Sequence, residues 1–293
     1  MNKPTNVRGI LFMVASMAAF SLADTLVKVS TTVISPPQVM FFLISGGLMI
    51  FMSMAVLQKD RLLDRRAFSP ILWLRYLAEI GGMVGMVMAL ANVPISSVGA
   101  ITQASPMLAA VGAVVFLREN VGWRRWSSIV IGFIGVLLIV QPGAIAFDSA
   151  VLWAVLALVA LSIRDLTTRL VPADMPSTSL ATYTMAAALP FTIGWVIFNG
   201  QSLIPAQINW LVTIPMVILG SVGYMLLIAS IRMAEVSVVM PYRYTRIIFL
   251  LGLGVLVFGE RPNLLMLTGA VLIIFSGTYM LWREHRVKQT AQS

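Results

Sequence analysis

Two arginines stand three residues apart inside an otherwise apolar stretch, in the run Met240-Pro241-Tyr242-Arg243-Tyr244-Thr245-Arg246. The i, i+3 spacing puts both guanidinium groups on one face of a helix. Pro241 has no backbone N–H to donate, so it marks a kink or break just before them. A guanidinium can hold a carboxylate or a phosphate through two parallel hydrogen bonds, and Tyr242 and Tyr244 add hydroxyls and aromatic faces. The chemistry on offer is recognition of an anionic or zwitterionic organic molecule. Two plainer roles stay open. Arg243 could pair with a buried acid such as Glu79 and serve packing, or the arginines could snorkel to an interface.

Other charges share this apolar setting. Arg75 and Glu79 are one helical turn apart, which suits a local ion pair, and a buried Glu79 is also a candidate proton carrier. Asp24 and Lys28 form a second acid-then-base pair at the same spacing, and Asp165 and Arg169 a third. These last two pairs are related. A shift of 141 carries Ser21, Asp24 and Lys28 onto Ser162, Asp165 and Arg169, Gly82 onto Gly223, Gln103 onto Tyr244, and Glu119 onto Glu260. The chain is written twice, as 1–142 and 143–293. The two acid–base pairs are candidate gates at opposite ends of one pathway, or ordinary pairs at helix ends. Gln103 is expected at the depth of Tyr244, facing the same cavity.

These residues must be positioned by membrane-spanning helices. The 293 residues are 59% hydrophobic and 11% charged, with mean hydropathy +0.93. That is far below the roughly 25% charge of a soluble domain. Apolar runs of about 20 residues match a bilayer core of about 30 Å, and they are continuous, unlike the alternating strands of an outer-membrane barrel. Ten spans are predicted, roughly 9–29, 37–57, 72–91, 98–117, 124–140, 150–169, 177–198, 210–231, 236–258 and 264–282. Five spans per copy is an odd number, so the second copy enters the membrane from the opposite side. The fold class is therefore an all-α polytopic membrane protein with an inverted 5+5 repeat, an architecture that sets its ligand site near the midplane where the copies meet.

Charge distribution orients it. Fifteen of the Lys and Arg residues fall in or beside one set of loops, and two, Lys28 and Arg261, in the other. The positive-inside rule then puts both termini in the cytoplasm and makes this a multi-pass plasma (inner) membrane protein. The net charge of +9 is a topology signal rather than a sign of nucleic acid. Arg232 belongs to that signal, and Trp73 marks an interface. Glycines at 81 and 85, 220 and 223, and 252 and 254 suit close helix packing, and the filter-like Ser221-Val222-Gly223-Tyr224 is read as chance.

Chemistry is bounded by what is missing. The chain has no cysteine and one histidine, His285, in the charged C-terminal segment. No metal site, cofactor or thiol catalysis is expected, and neither H-E-x-x-H nor G-x-S-x-G occurs. No G-x-x-x-x-G-K-[ST] loop is present, so gradients or exchange would supply the energy of any transport.

Several stretches resemble the drug/metabolite transporter superfamily, EamA type. "NVPISSVGAITQASPMLAAVGAVVFLREN", ending at Asn120, is similar to that family's fourth span, and "GWRRWSSIVIGFIGVLLI", from Gly122, to its fifth. "AEVSVVMPYRYTRIIFLLGLGVLVFGERP", from Ala234, resembles the ninth with its Phe-Gly-Glu ending, and "LTGAVLIIFSGTYMLWRE", from Leu267, the tenth. The likeness covers essentially the whole chain. It implies a secondary transporter whose cavity is lined by spans including three, four, eight and nine, with Glu79, Gln103, Tyr242, Tyr244 and Arg246 at cavity-facing places. Family members move amino acids, nucleoside-like metabolites, vitamins, sugars and some drugs, and the arginines tilt the expectation to an anionic or zwitterionic metabolite moved by alternating access. The expected partners are that substrate, the lipid bilayer, and protons or a counter-substrate. A channel or small multidrug-cation exporter is the alternative, which two buried arginines disfavour because they repel cations, and an intramembrane enzyme comes last.

Overall fold

The computed structural model describes residues 3–60, 64–117, 123–141, 148–168, 170–172, 174–234 and 236–292. Among the described residues it is all helix and turn. The helices are α1 (Lys3–Ser30), α2 (Pro36–Leu57), α3 (Pro70–Asn92), α4 (Ile95–Thr102), α5 (Ser105–Leu117), α6 (Trp123–Val140), α7 (Val151–Thr168), α8 (Ser177–Phe198), α9 (Trp210–Met233), α10 (Val236–Val239), α11 (Thr245–Phe258) and α12 (Leu264–Gln292). A 3-10 turn, Met240–Tyr244, joins α10 to α11. Eight stretches are long and apolar enough to cross a membrane, and the shorter apolar runs Trp126–Val140 and Leu264–Met280 complete ten.

Local chemistry sets the helix ends. Pro70 opens α3, where a missing N–H costs nothing, and the Ser69 side chain accepts from the Leu72 N–H. Asn209 caps α9 in the same way through Leu211. Gly259, at φ 63, ends α11 in the left-handed conformation that glycine adopts freely. In the loop before α3, the Arg66 guanidinium bridges Asp64 and Asp174, whose hydrogen bonds hold its pKa above the ordinary arginine value.

Two spans are broken. The fourth, read as continuous over 98–117, breaks at Gln103-Ala104, and the ninth, 236–258, breaks across 240–244, where Pro241 predicts a kink or break. Different prolines cause it. Pro106 cannot donate to the Thr102 carbonyl, and Pro241 cannot donate one turn back, so neither helix can run straight through. The breaks are nonetheless equivalent, because Gln103 and Tyr244 are repeat mates. The first and tenth spans are longer than read, with α1 starting at Lys3 and α12 running to Gln292.

The repeat is visible in the backbone. α2 and α8 are offset by 141 at both ends, and α9 begins one residue before the mate of α3 and ends on it. Packing repeats too: α1 lies along α9 as α7 lies along α3, while α2 meets α8 and α6 meets α12 across the pseudo-two-fold. A Cβ on Gly82 would come 2.9 Å from Leu161, and one on Gly223 would come 3.0 Å from Phe20. Phe20 and Leu161 are themselves repeat mates. At Gly85 a Cβ would meet the backbone of α7, 2.7 Å from the Ala157 nitrogen, so this glycine lets two helix backbones touch.

Candidate functional site

The two broken spans cross at the centre. Gln103 donates from Nε2 to the Arg243 carbonyl at 2.7 Å, tying one break to the other. Arg243 is half-buried, and among the described residues its guanidinium has one hydrogen-bond contact, a long one to the Met240 sulfur at 4.0 Å. Among the described residues no oxygen accepts from this guanidinium. The buried side-chain atoms lacking a partner, among the described residues, are Tyr244 Oη and Arg246 Nε. The remaining Arg243 N–H groups have no acceptor among the described residues and are not wholly buried, so a ligand can supply one.

Below this crossing, toward the loop that precedes α3, lies a charged network. Arg75 on α3 donates to Thr168 at 3.0 Å and to Thr184 on α8 at 2.7 Å, and stands 3.7 Å from Glu79. Glu79 accepts in turn from Arg164 on α7 at 3.2 Å, and Arg164 also pairs with Asp165 at 2.7 Å. Asp165 is close enough to feel the Arg243 charge. Two guanidinium groups (Arg75, Arg164) thus share two carboxylates (Glu79, Asp165), which leaves Arg243 as a surplus cation beside them.

On the other side of the crossing, Arg246 pairs with Asp24 on α1 at 2.5 Å, and its guanidinium lies 5.5 Å from the Phe20 ring. Nearer that face of the bundle, Lys28 donates to the Leu90 and Val93 carbonyls at 3.0 and 2.6 Å, and lies 5.5 Å over the Phe258 ring. Glu260 accepts from the Ile95 N–H at 2.6 Å, the Ser96 N–H at 3.2 Å and the Ser96 hydroxyl at 2.5 Å.

The sequence-derived residues are thus distributed over three layers. Gln103, Arg243 and Tyr244 meet at the crossing. The Tyr244 hydroxyl, however, turns against Gly277 of α12, and Tyr242 faces outward, 38% exposed, beside a cavity of about 410 Å³ that Pro241, Thr245 and Thr278 also line. Arg246 is held by Asp24 rather than presented to open space. Glu79 pairs with Arg75 and Arg164, not with Arg243. Asp24 and Lys28 do not pair with each other: the acid crosses to α11 and the base to the end of α3. Asp165 takes Arg164 as its partner, while Arg169 and Glu119 lie outside the described residues. Arg164 is one of the fifteen Lys and Arg residues that the sequence assigns to one set of loops, yet it is inside α7 and central to the network. Its signal was the neighbouring Asp165 in a span drawn to 169. Glu260 was noted only as a repeat mate.

The model of the EamA-like transporter family matches residues 7–141 and again residues 148–282. The chain belongs to the EamA-like transporter family. Similar curated proteins include an S-adenosylmethionine uptake transporter of Rickettsia bellii, 26% identical over 95% of this chain and 94% of that protein. A riboflavin transporter of Vibrio cholerae is 26% identical over 94% and 93%, and the pseudopaline exporter CntI of Pseudomonas aeruginosa 25% identical over 91% and 93%. A crystal structure 16% identical in sequence superposes with a TM-score of 0.61, covering 92% of this chain and 94% of the other, and shares its fold. This EamA-like protein is a multi-pass membrane transporter, and its relatives are transporters, not enzymes.

Proposed function

We propose that this EamA-like transporter moves a small anionic or zwitterionic organic metabolite by alternating access, with the carboxylate or phosphate end of the substrate seated on Arg243. The observation that carries this reading is the free guanidinium at the crossing of the two broken spans. A buried charge without a partner is expensive, and here a substrate anion would supply the partner that Glu79 and Asp165 do not. The surplus of one guanidinium over the carboxylates around it disfavours a cation exporter or cation channel. Gln103 positions Arg243 through its hydrogen bond to the Arg243 carbonyl. The repeats 1–142 and 143–293 would rock about this layer.

Among the compounds named for the relatives, S-adenosylmethionine bears a carboxylate that suits Arg243, but its sulfonium and ammonium groups give it a net positive charge that the surplus guanidinium disfavours, so it enters the screen as a test of the charge argument. The loop charges support cytoplasmic termini in the plasma membrane. Direction and coupling ion follow from the gradients, and Glu79, shared between two arginines, is the residue through which a proton would act.

The test is a thermal-shift screen of purified protein against S-adenosylmethionine, riboflavin, amino acids, organic acids and cations, with Arg243→Met in parallel. A ligand at 100 times its Kd adds about 2.7 kcal/mol to native-state stability. Stabilisation by an anionic or zwitterionic compound, lost in Arg243→Met, is expected. Stabilisation by cations, or a hit that survives the substitution, overturns the assignment.

A further inference from the structure

The repeat mates offer an internal comparison. α4 is buried almost throughout, Ile101 at 0% exposure, whereas Tyr242, the mate of Ile101, is 38% exposed. The 410 Å³ cavity opens beside the mate segment. A symmetric scaffold has thus closed around one broken span and stayed looser around the other.

What holds the closed side is specific. The corner between α3 and α4, Val93-Pro94, is gripped from two sides by charged side chains of other spans. Lys28, in the last turn of α1, takes the carbonyls of Leu90 and Val93, which α3 leaves unpaired at its C-terminus. Glu260, just past α11, takes the first N–H groups of α4 and the Ser96 hydroxyl. A cation at a helix C-terminus and an anion at a helix N-terminus both match the helix dipoles. Gly254 leaves the space that the Glu260 carboxylate fills, since a Cβ there would come 2.5 Å from Oε2. Beneath the corner, Leu250 of α11 packs directly on Gly99 of α4 and is 0% exposed.

We infer that Lys28 and Glu260 form a clasp that closes the face opposite the termini, and that opening to that side requires both to let go of the α3–α4 corner. This inference rests on the alternating-access reading above. Neither grip is a salt bridge between the two charged residues. Each is a helix cap made across spans, so the clasp fixes helix ends directly, and its release frees α4 to leave α11.

The absence of cysteine from the sequence makes the test clean. Leu250→Cys places a single thiol behind the clasp, and a membrane-impermeant maleimide is applied from either side of sealed vesicles of known orientation. Labelling from the face opposite the termini is expected to be slow in the otherwise unaltered protein. It should rise about tenfold with Glu260→Gln or Lys28→Met, the population change that loss of one cap brings. Ser96→Ala, which removes one hydrogen bond and neither charge, should give a smaller rise and serves if the charge variants fail to fold. Unchanged labelling in a folded variant, or a rise confined to the terminal face, overturns the clasp while leaving the transport reading intact. Equal labelling from both faces in the unaltered protein overturns alternating access itself, and the clasp with it.

Discussion

Asp24→Asn tests whether Arg246 belongs to the scaffold or to the ligand. The pair spans 2.5 Å between side chains only 12% and 20% exposed, so solvent screens little of it. Removing one partner of such a pair strands a buried charge, at a cost of about 3–5 kcal/mol. Asp24→Asn leaves Arg246 a neutral amide oxygen in place of the carboxylate, and the face of Phe20, 5.5 Å away, a contact worth about 0.5–2 kcal/mol. Arg246→Met strands Asp24 and forfeits that contact as well, so it should be the worse of the two. The double variant carries no stranded charge and should lie well above the sum of the single losses, with a coupling of about 2–3 kcal/mol. Denaturant titration of the four proteins in one detergent gives the cycle. Losses that add to within about 0.5 kcal/mol would refute the pairing. Arg246 would then be free to meet substrate, as its place in the sequence first indicates.

Other substitutions probe the remaining layers. Glu79→Gln leaves Arg75 and Arg164 short of a carboxylate and should lower stability by about 3–5 kcal/mol in the same titration. If Glu79 carries a coupling proton, uptake into proteoliposomes by this variant also loses its dependence on a pH gradient, and a retained dependence removes Glu79 from that role. Gln103→Leu removes one neutral hydrogen bond, about 0.5–1.5 kcal/mol of stability; by unfixing Arg243 it should weaken ligand binding in the thermal-shift assay more than that loss alone accounts for. Gly85→Ala pushes against α7 backbone and should cost about 1–3 kcal/mol, whereas Gly223→Ala meets the Phe20 ring, which can swing, and should cost less. Equal losses would mean that both helix pairs yield equally.

What the sequence made legible was the part fixed by covalent pattern. The repeat, the ten apolar runs and the odd count per copy follow from residue type and spacing, and helix boundaries offset by 141 follow from the same register. The break in the ninth span could be foreseen because Pro241 stands inside it. The break in the fourth was harder, because Pro106 there lies just beyond the break, where proline also suits the first turn of a helix. Charge partners were the least legible. Spacing along one helix pairs Asp24 with Lys28, but the stronger partners arrive from other spans, and only the tertiary packing of α1 on α9 and α11 brings Arg246 to Asp24. Arg164 was assigned to topology because an arginine near a span end ordinarily serves that purpose. Only the structure shows it between Glu79 and Asp165.

The difference between the two halves is itself informative about which residues do what. Some contacts occur twice: Phe20 on Gly223 and Leu161 on Gly82, an inward serine at 21 and 162, an acid at 24 and 165. A contact present in both repeats can serve the closure of either face and so suits a scaffold that must rock between two states of similar energy. The arginines of the central layers, and Glu79, occur once. Arg243 and Arg246 have Thr102 and Ser105 as mates, Arg75 has Met216, Arg164 has Ala23, and Glu79 has Gly220. Symmetric closure does not need these charges, and burying them has a cost that selection for stability alone would remove. The proposed substrate supplies a reason to keep them, because an asymmetric molecule bound at a pseudo-two-fold must be recognised by asymmetric side chains. On this argument a graft of Thr at 243 leaves the rocking scaffold sound and silences recognition, while the Gly82 and Gly223 contacts matter to both orientations equally. Arg243→Thr should therefore leave maleimide labelling of Leu250→Cys unchanged and abolish ligand-induced stabilisation. Loss of both together would place Arg243 in the scaffold instead.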